Sequence, residues 1–389
     1  MVALRADPRM VASGLLLLTR LAASIVAASA AYCHGAPSPD ARPNLHPIQA
    51  ESPRAVRAVR NGLLESVGRG DDEIPLVHVW GSAYERGLAQ GMLMRTEIAE
   101  FVPLALAFFA DEAARALNSS TGWMPLPVAE WVARAGIDAA LDATAALTAR
   151  STGRWFEEEL VGLAHGSRVS IAQLRRMHMI GELTRGRCSM FGAWGEATGA
   201  GALLQLRALD WETGGPFQRF PQVTVYHASD SARDGHSFVT VGWSGWIGAV
   251  SGMSDVALGI SEIGVSFTDG SFGEESREGT PFVYPMRDLL QWTDSLAAAR
   301  EAIRAAKRTC RLILGVGDGK MCKDHDGGAR CADGDDAPFN SAQYSASLTR
   351  YAANTSRNPT SPCCARQLFR RSSGERCFVH ERRDAATAE

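Results

Sequence analysis

Between Tyr84 and about Leu117 the apolar residues Leu88, Met92, Leu93 and Ile98 recur at three- and four-residue spacings, which predicts a helix. The same period returns over residues 124–150, 154–165 and 171–183. A short strand over residues 74–80 precedes them and stops at Gly81. At Cys188 the texture changes. Apolar, aromatic and glycine-rich runs predict strands over 188–194, 203–211, 222–227, 237–243, 247–250 and 256–260. Turn signals such as Gly199-Ala200-Gly201, Gly214-Gly215-Pro216 and Asp234-Gly235 separate them. Two helices follow, over 282–292 and 296–308, the second capped by Asp294 or Ser295, and then a strand over 311–316. Helices, antiparallel-looking strands and helices again define an α+β class, either a simple α+β body or a layered αββα one.

The two ends carry no such period. Arg5 and Arg9 precede apolar stretches over 11–18 and 21–31, and Ala28-Ser29-Ala30 offers a cleavage site, so residues 1–30 read as a secretory signal peptide. The rival is a membrane anchor, disfavoured by Arg20 in mid-stretch. Residues 31–55 read as a linker. The expected compartment is the secretory pathway, with the product secreted or lysosomal. Two sequons would then be open to glycosylation, at Asn118 and Asn354. Beyond about residue 317 the segment 318–389 is expected to be an irregular tail, poorly packed, with Asp324, Asp326, Asp333, Asp335 and Asp336 among glycines. A shortened or misread C-terminal part stays open as the reason.

Composition narrows the function classes. The 389 residues carry 40 Lys+Arg against 43 Asp+Glu, a net charge of −3, so no basic excess draws the chain to nucleic acid. A hydrophobic share of 46% excludes a wholly disordered chain. Eight cysteines permit a few bridges outside the cytosol. Gly242-Trp243-Ser244-Gly245-Trp246 lacks the last glycine of a nucleophile elbow, and Gly315-Val316-Gly317-Asp318-Gly319-Lys320 lacks the Ser or Thr of a phosphate loop and reads as a turn. Cys322, His325, Cys331, Cys363 and Cys364 contain no C-x₂-C pair, so neither a metal nor another cofactor is expected.

Cys188 stands apart, following the polar turn Thr184-Arg185-Gly186-Arg187 and opening the first strand. Were the bond before it cut, its own α-amine, with a pKa of about 7.7–8.0, could act as base to its thiol. Arg207 and Asp210 follow on one strand, where residues three apart point to opposite faces. They can meet one site only if that strand ends or bulges between them. On spacing alone a buried, inert cysteine beside a surface Arg–Asp pair is the stronger reading.

The motifs Arg187-Cys188-Ser189-Met190-Phe191-Gly192-Ala193-Trp194 and Leu206-Arg207-Ala208-Leu209-Asp210-Trp211 resemble the N-terminal-nucleophile cysteine hydrolases of the isopenicillin N acyltransferase, acid ceramidase-like and phospholipase B-like grouping. Residues 245–253, 259–262, 286–291 and 308–310 continue the likeness, as does Gly81-Ser82-Ala83-Tyr84-Glu85-Arg86-Gly87 with Gln90-Gly91 upstream. The resemblance implies a four-layer αββα sandwich, with a helix-rich pro-segment over 56–187 and a catalytic body over 188–317. It implies self-cleavage at Arg187–Cys188 and a thioester route through Cys188, with Arg207 orienting substrate and Asp210 holding the α-ammonium. Asn354 is the candidate oxyanion residue. The implied partners are a small-molecule or lipid-like acyl substrate, peripheral membrane or lipid contact, and the two processed chains held together. The alternative is an inactive secreted relative acting as a binding glycoprotein.

Overall fold

The computed structural model describes residues 51–121, 124–183, 187–195, 198, 201–210, 214–265, 272–325, 328–331 and 337–351. The signal peptide, all but the end of the linker and Asn354 lie outside the described residues. Three strands, β1 (Arg54–Val59), β2 (Gly62–Val67) and β3 (Ile74–Val79), pair antiparallel as a meander. Asn61 turns the first hairpin at φ 61°, a left-handed value that asparagine tolerates.

Five helices follow: α1 (Ala83–Leu93), α2 (Arg95–Thr121), α3 (Leu126–Thr148), α4 (Arg154–Ser167) and α5 (Ile171–Leu183). Ser82 and Glu85 form a reciprocal capping box at the start of α1. Helices α1 and α4 touch backbone to backbone through Gly87 and Gly91 on one and Gly162 and Gly166 on the other. A Cβ on Gly162 would lie 2.1 Å from the Tyr84 carbonyl oxygen. The glycines of Arg86-Gly87 and Gln90-Gly91 therefore exist to be flat.

A hairpin, β4 (Arg187–Gly195) with β5 (Gly201–Asp210), leads into β6 (Pro221–Tyr226), β7 (Phe238–Trp243), β8 (Ser251–Ser254) and β9 (Leu258–Gly264). Helices α6 (Val283–Trp292) and α7 (Leu296–Ala305) precede β10 (Leu312–Asp318), and Ser295 caps α7 by accepting from the Ala298 amide. Among the described residues β1, β2, β3, β6, β7, β8, β9, β10, β13 (Phe339–Tyr344) and β14 (Thr349–Tyr351) form one sheet in that order. Every neighbouring pair is antiparallel except β3 and β6. The mixture of helix and mainly antiparallel sheet is α+β.

The helices gather on one face of this sheet in a continuous apolar core. The β4–β5 hairpin lies on the other face, over β9, β10 and β13. There Gly315 and Gly317, part of the phosphate-loop look-alike, sit inside β10 and make room for it. A Cβ at Gly315 would lie 2.7 Å from Ser261 Oγ and 2.9 Å from Met190 Sδ. Buried Arg287 on α6 donates to both carboxylate oxygens of buried Glu159 on α4, at 3.0 and 2.8 Å, and to the Ile247 carbonyl at 2.7 Å. That ion pair fixes the late helices to the early ones.

Three expectations need correction. The stretch read as helix-rich from residue 56 holds, ahead of the strand expected at 74–80, two further strands, β1 and β2, and the alternating burial of Gly62–Val67 places Leu64 in the core. The segment expected to be an irregular tail holds the hairpin β11 (Cys322–His325) with β12 (Gly328–Cys331), then β13 and β14. Strand β13 is buried along its whole length because β10 and β14 flank it in the sheet. Residues 247–250 are a buried connection, not a strand. Cys322 and Cys331 are joined by a disulfide across facing ladder positions of the β11–β12 hairpin.

Candidate active site

Strand β4 begins at Arg187, so the bond to Cys188 is the first bond of a ladder in which Arg187 faces Asp210 and Cys188 faces Leu209. Alternation turns Cys188, Met190 and Gly192 toward the large sheet. Cys188 is 9% exposed and packs with Met190, Ile263, Phe272 and Ile313. It forms no disulfide, and neither does buried Cys310. Arg207 faces Met190 in the register and so shares the inward side of the hairpin.

From there the Arg207 guanidinium does three things. Nη2 donates to Cys188 Sγ at 3.2 Å and to Glu262 Oε1 at 2.5 Å, while Nε donates to the Glu262 carbonyl at 2.8 Å. Both side chains of the ion pair are nearly buried. Burial works to lower the Arg207 pKa, but the Glu262 carboxylate and the Cys188 sulfur outweigh it and leave it raised. Burial raises Glu262 above the usual carboxylate range despite the opposing pull of Arg207. A charged donor against sulfur favours the anionic form, which is the nucleophile.

Arg207 and Glu262 also line a narrow cavity of about 40 Å³, walled by Phe217, Trp243, Trp246 and Phe282. Phe217, Trp243 and Trp246 thus meet beside the ion pair, while Trp194 is not in that wall. His178 on α5 stacks on Trp246 with ring centres 4.8 Å apart. Its Nδ1 bonds the Leu174 carbonyl at 2.8 Å and its Nε2 accepts from the Ile247 amide at 3.0 Å, which sets the tautomer. Burial pushes its pKa down to about 4, so the ring is neutral and structural.

The predicted residues divide accordingly. Cys188 and Arg207 are brought together. Strand β5 is regular through Asp210, which closes the strand opposite Arg187, and the side chains of Arg187 and Asp210 lie outside the described atoms. Asn354 is likewise outside the described residues. Asn118 sits in α2 with Nδ2 donating to the Met124 carbonyl at 2.7 Å. Sequence reasoning missed Glu262 as a site residue. The available signal was a single carboxylate within the apolar run Leu258–Gly264. Among the described residues no cluster of His, Cys, Asp or Glu could hold a metal ion, and no helix is long and apolar enough to cross a membrane.

Two curated proteins of Dictyostelium discoideum are similar in sequence. Protein dcd1B is 34% identical over 274 residues, 70% of this chain and 53% of that protein, and protein dcd1A is 34% identical over 279 residues, 70% of this chain and 62% of that protein. The chain thus spans between half and two thirds of the relatives it matches. No family model matches the sequence. Among solved structures, a Caenorhabditis elegans ortholog of N-acylethanolamine-hydrolyzing acid amidase aligns with a TM-score of 0.30 and 11% identity, covering 43% of this chain and 63% of that one. Penicillin V acylase from Agrobacterium tumefaciens aligns with a TM-score of 0.22 and 8% identity, covering 44% and 43%.

Proposed function

We propose that this chain is the precursor of an N-terminal-nucleophile cysteine hydrolase of the secretory pathway, acting on linear amides or acyl esters of lipid-like acyl groups. The observation that carries the reading is the 3.2 Å contact of Arg207 Nη2 with Cys188 Sγ, at the residue where the motif puts the nucleophile. On this reading the stacked sheets and helices are parts of an αββα four-layer sandwich. In maturation the Cys188 thiol adds to the Arg187 carbonyl carbon. The peptide nitrogen leaves as the new α-amine, and water hydrolyses the resulting thioester to free the Arg187 carboxylate. In turnover the α-amine takes the thiol proton and passes it to the departing amine or alcohol. Water then releases the acid from the acyl-enzyme. Asp210, at the end of β5 beside the Arg187–Cys188 bond rather than on the Arg207 face, is assigned the new α-ammonium by the motif, and Arg207, braced by Glu262, steadies the negative charge on sulfur as the proton leaves.

Amino-terminal sequencing of the purified full chain tests this. The expected products are a segment ending at Arg187 and one of 202 residues (389 − 188 + 1) beginning at Cys188. Cleavage should survive Arg187→Ala and vanish in Cys188→Ala. Treatment with an activated acyl ester should add one acyl mass on Cys188 of the processed protein. Uncut wild type that takes no acyl group would sink the hydrolase reading and leave the binding glycoprotein. A Cys188→Ala protein, purified free of other proteases, that still starts at position 188 would refute self-cleavage.

A further inference from the structure

A second cavity, about 400 Å³, lies between α6, α7, β10 and β13 and shares no wall residue with the one beside Arg207. That volume falls within the range of small-molecule sites, roughly 300–1,000 Å³. Its walls are mainly apolar, with Pro285, Met286, Leu289, Trp292, Ile303 and Leu314 among them, and no Lys, Arg or His contributes. One acidic side chain does, Asp288.

Asp288 is out of place by ordinary rules. Its Oδ1 is buried and has no hydrogen-bond partner, whereas buried polar groups are nearly always satisfied. Its neighbour Arg287 spends its guanidinium on Glu159 and the Ile247 carbonyl. Burial pushes the Asp288 pKa up to about 7, and the charge of Arg287 opposes this only in part. A second wall residue, Tyr344, is 2% exposed and its hydroxyl also lacks a partner. The wall threonines are otherwise engaged: Thr293 donates to the Leu289 carbonyl, and Thr280 to the Ser151 carbonyl.

We propose that this cavity is a binding site for a small organic ammonium ion with an apolar body, whose charge is met by Asp288 and whose body lies against Trp292 and the aliphatic wall. A cation supplies what the carboxyl lacks, and an aromatic beside it adds cation–π attraction. An anion would face an uncompensated carboxyl. A neutral alcohol would leave the charge unmet.

Calorimetric titration of the full chain with phenethylammonium, 2-phenylethanol and phenylacetate tests the site at pH 8. The expected order is saturable phenethylammonium binding at least tenfold tighter than the alcohol, with no binding of the acid. Asp288→Asn should remove the preference for the cation. Ala306→Phe, which fills the cavity from the end of α7, should abolish binding of all three and keeps the test valid if the first variant fails to fold. Cys188→Ala should bind as wild type does, so the outcome is separate from the hydrolase reading. Absence of saturable binding, equal affinity for amine and alcohol, or undiminished amine binding in Ala306→Phe overturns the proposal.

Discussion

A guanidinium held from behind by a carboxylate presents its charge in a fixed direction, and Arg207 is held in that way by Glu262 against Cys188. Half of that arrangement was legible in the sequence. Cys188 and Arg207 fall in recognisable motifs on adjacent strands. Glu262 lies 55 residues beyond Arg207, and no local pattern announces a contact that only sheet stacking creates. His178 offers a prediction at the same scale. Its folded pKa, about 4, lies below the ordinary 6.5, so the neutral ring contributes its full stability above about pH 6.5, and this is lost as pH falls toward 4. By pH 4.5 the loss from this one group is about 2–3 kcal/mol. Urea midpoints at pH 7 and 4.5 should therefore draw apart more in wild type than in His178→Gln. Equal separation in the two proteins would mean that the ring does not carry the acid sensitivity.

Elements whose period is carried by side chains were easier to read than those whose burial comes from their neighbours. The helices at 124–150 and 171–183 match α3 and α5 closely, because apolar residues every third or fourth position can only be hidden on one helical face. Phe339-Asn340-Ser341-Ala342-Gln343-Tyr344 looks half polar, yet all six residues are buried as β13 once β10 pairs with them. Arg54-Ala55-Val56-Arg57-Ala58-Val59 is mostly exposed as the edge strand β1 and resembles linker. The α1–α4 contact gives the test at this scale. Gly162→Ala gains about 1 kcal/mol of helix propensity, but its Cβ would sit 2.1 Å from the Tyr84 oxygen, within backbone that has little room to yield. The net change should be a loss of about 2–3 kcal/mol, read from urea unfolding. A neutral or stabilised variant would show that the helices can part at little cost.

Across the whole molecule, the parallel pairing of β3 with β6 joins residues from either side of Arg187–Cys188, with Leu76 beside Val223 and Val79 beside Tyr226. The segment before that bond supplies β1, β2 and β3 together with α1 to α5. The segment after it supplies the rest of the sheet. Cutting that bond would release nothing: it would change the molecularity of folding. The intact chain unfolds and refolds as one molecule. The cut protein would behave as an obligate heterodimer whose seam runs between the third and fourth strands of its own sheet, and its stability would depend on concentration by mass action. Each tenfold dilution of the cut form should cost about 1.4 kcal/mol and lower its melting temperature. Uncut Cys188→Ala protein should melt at one temperature whatever its concentration. After complete denaturation the cut form should regain structure with second-order kinetics, so a maturation that switches activity on would also remove the chain's means of finding its own other half.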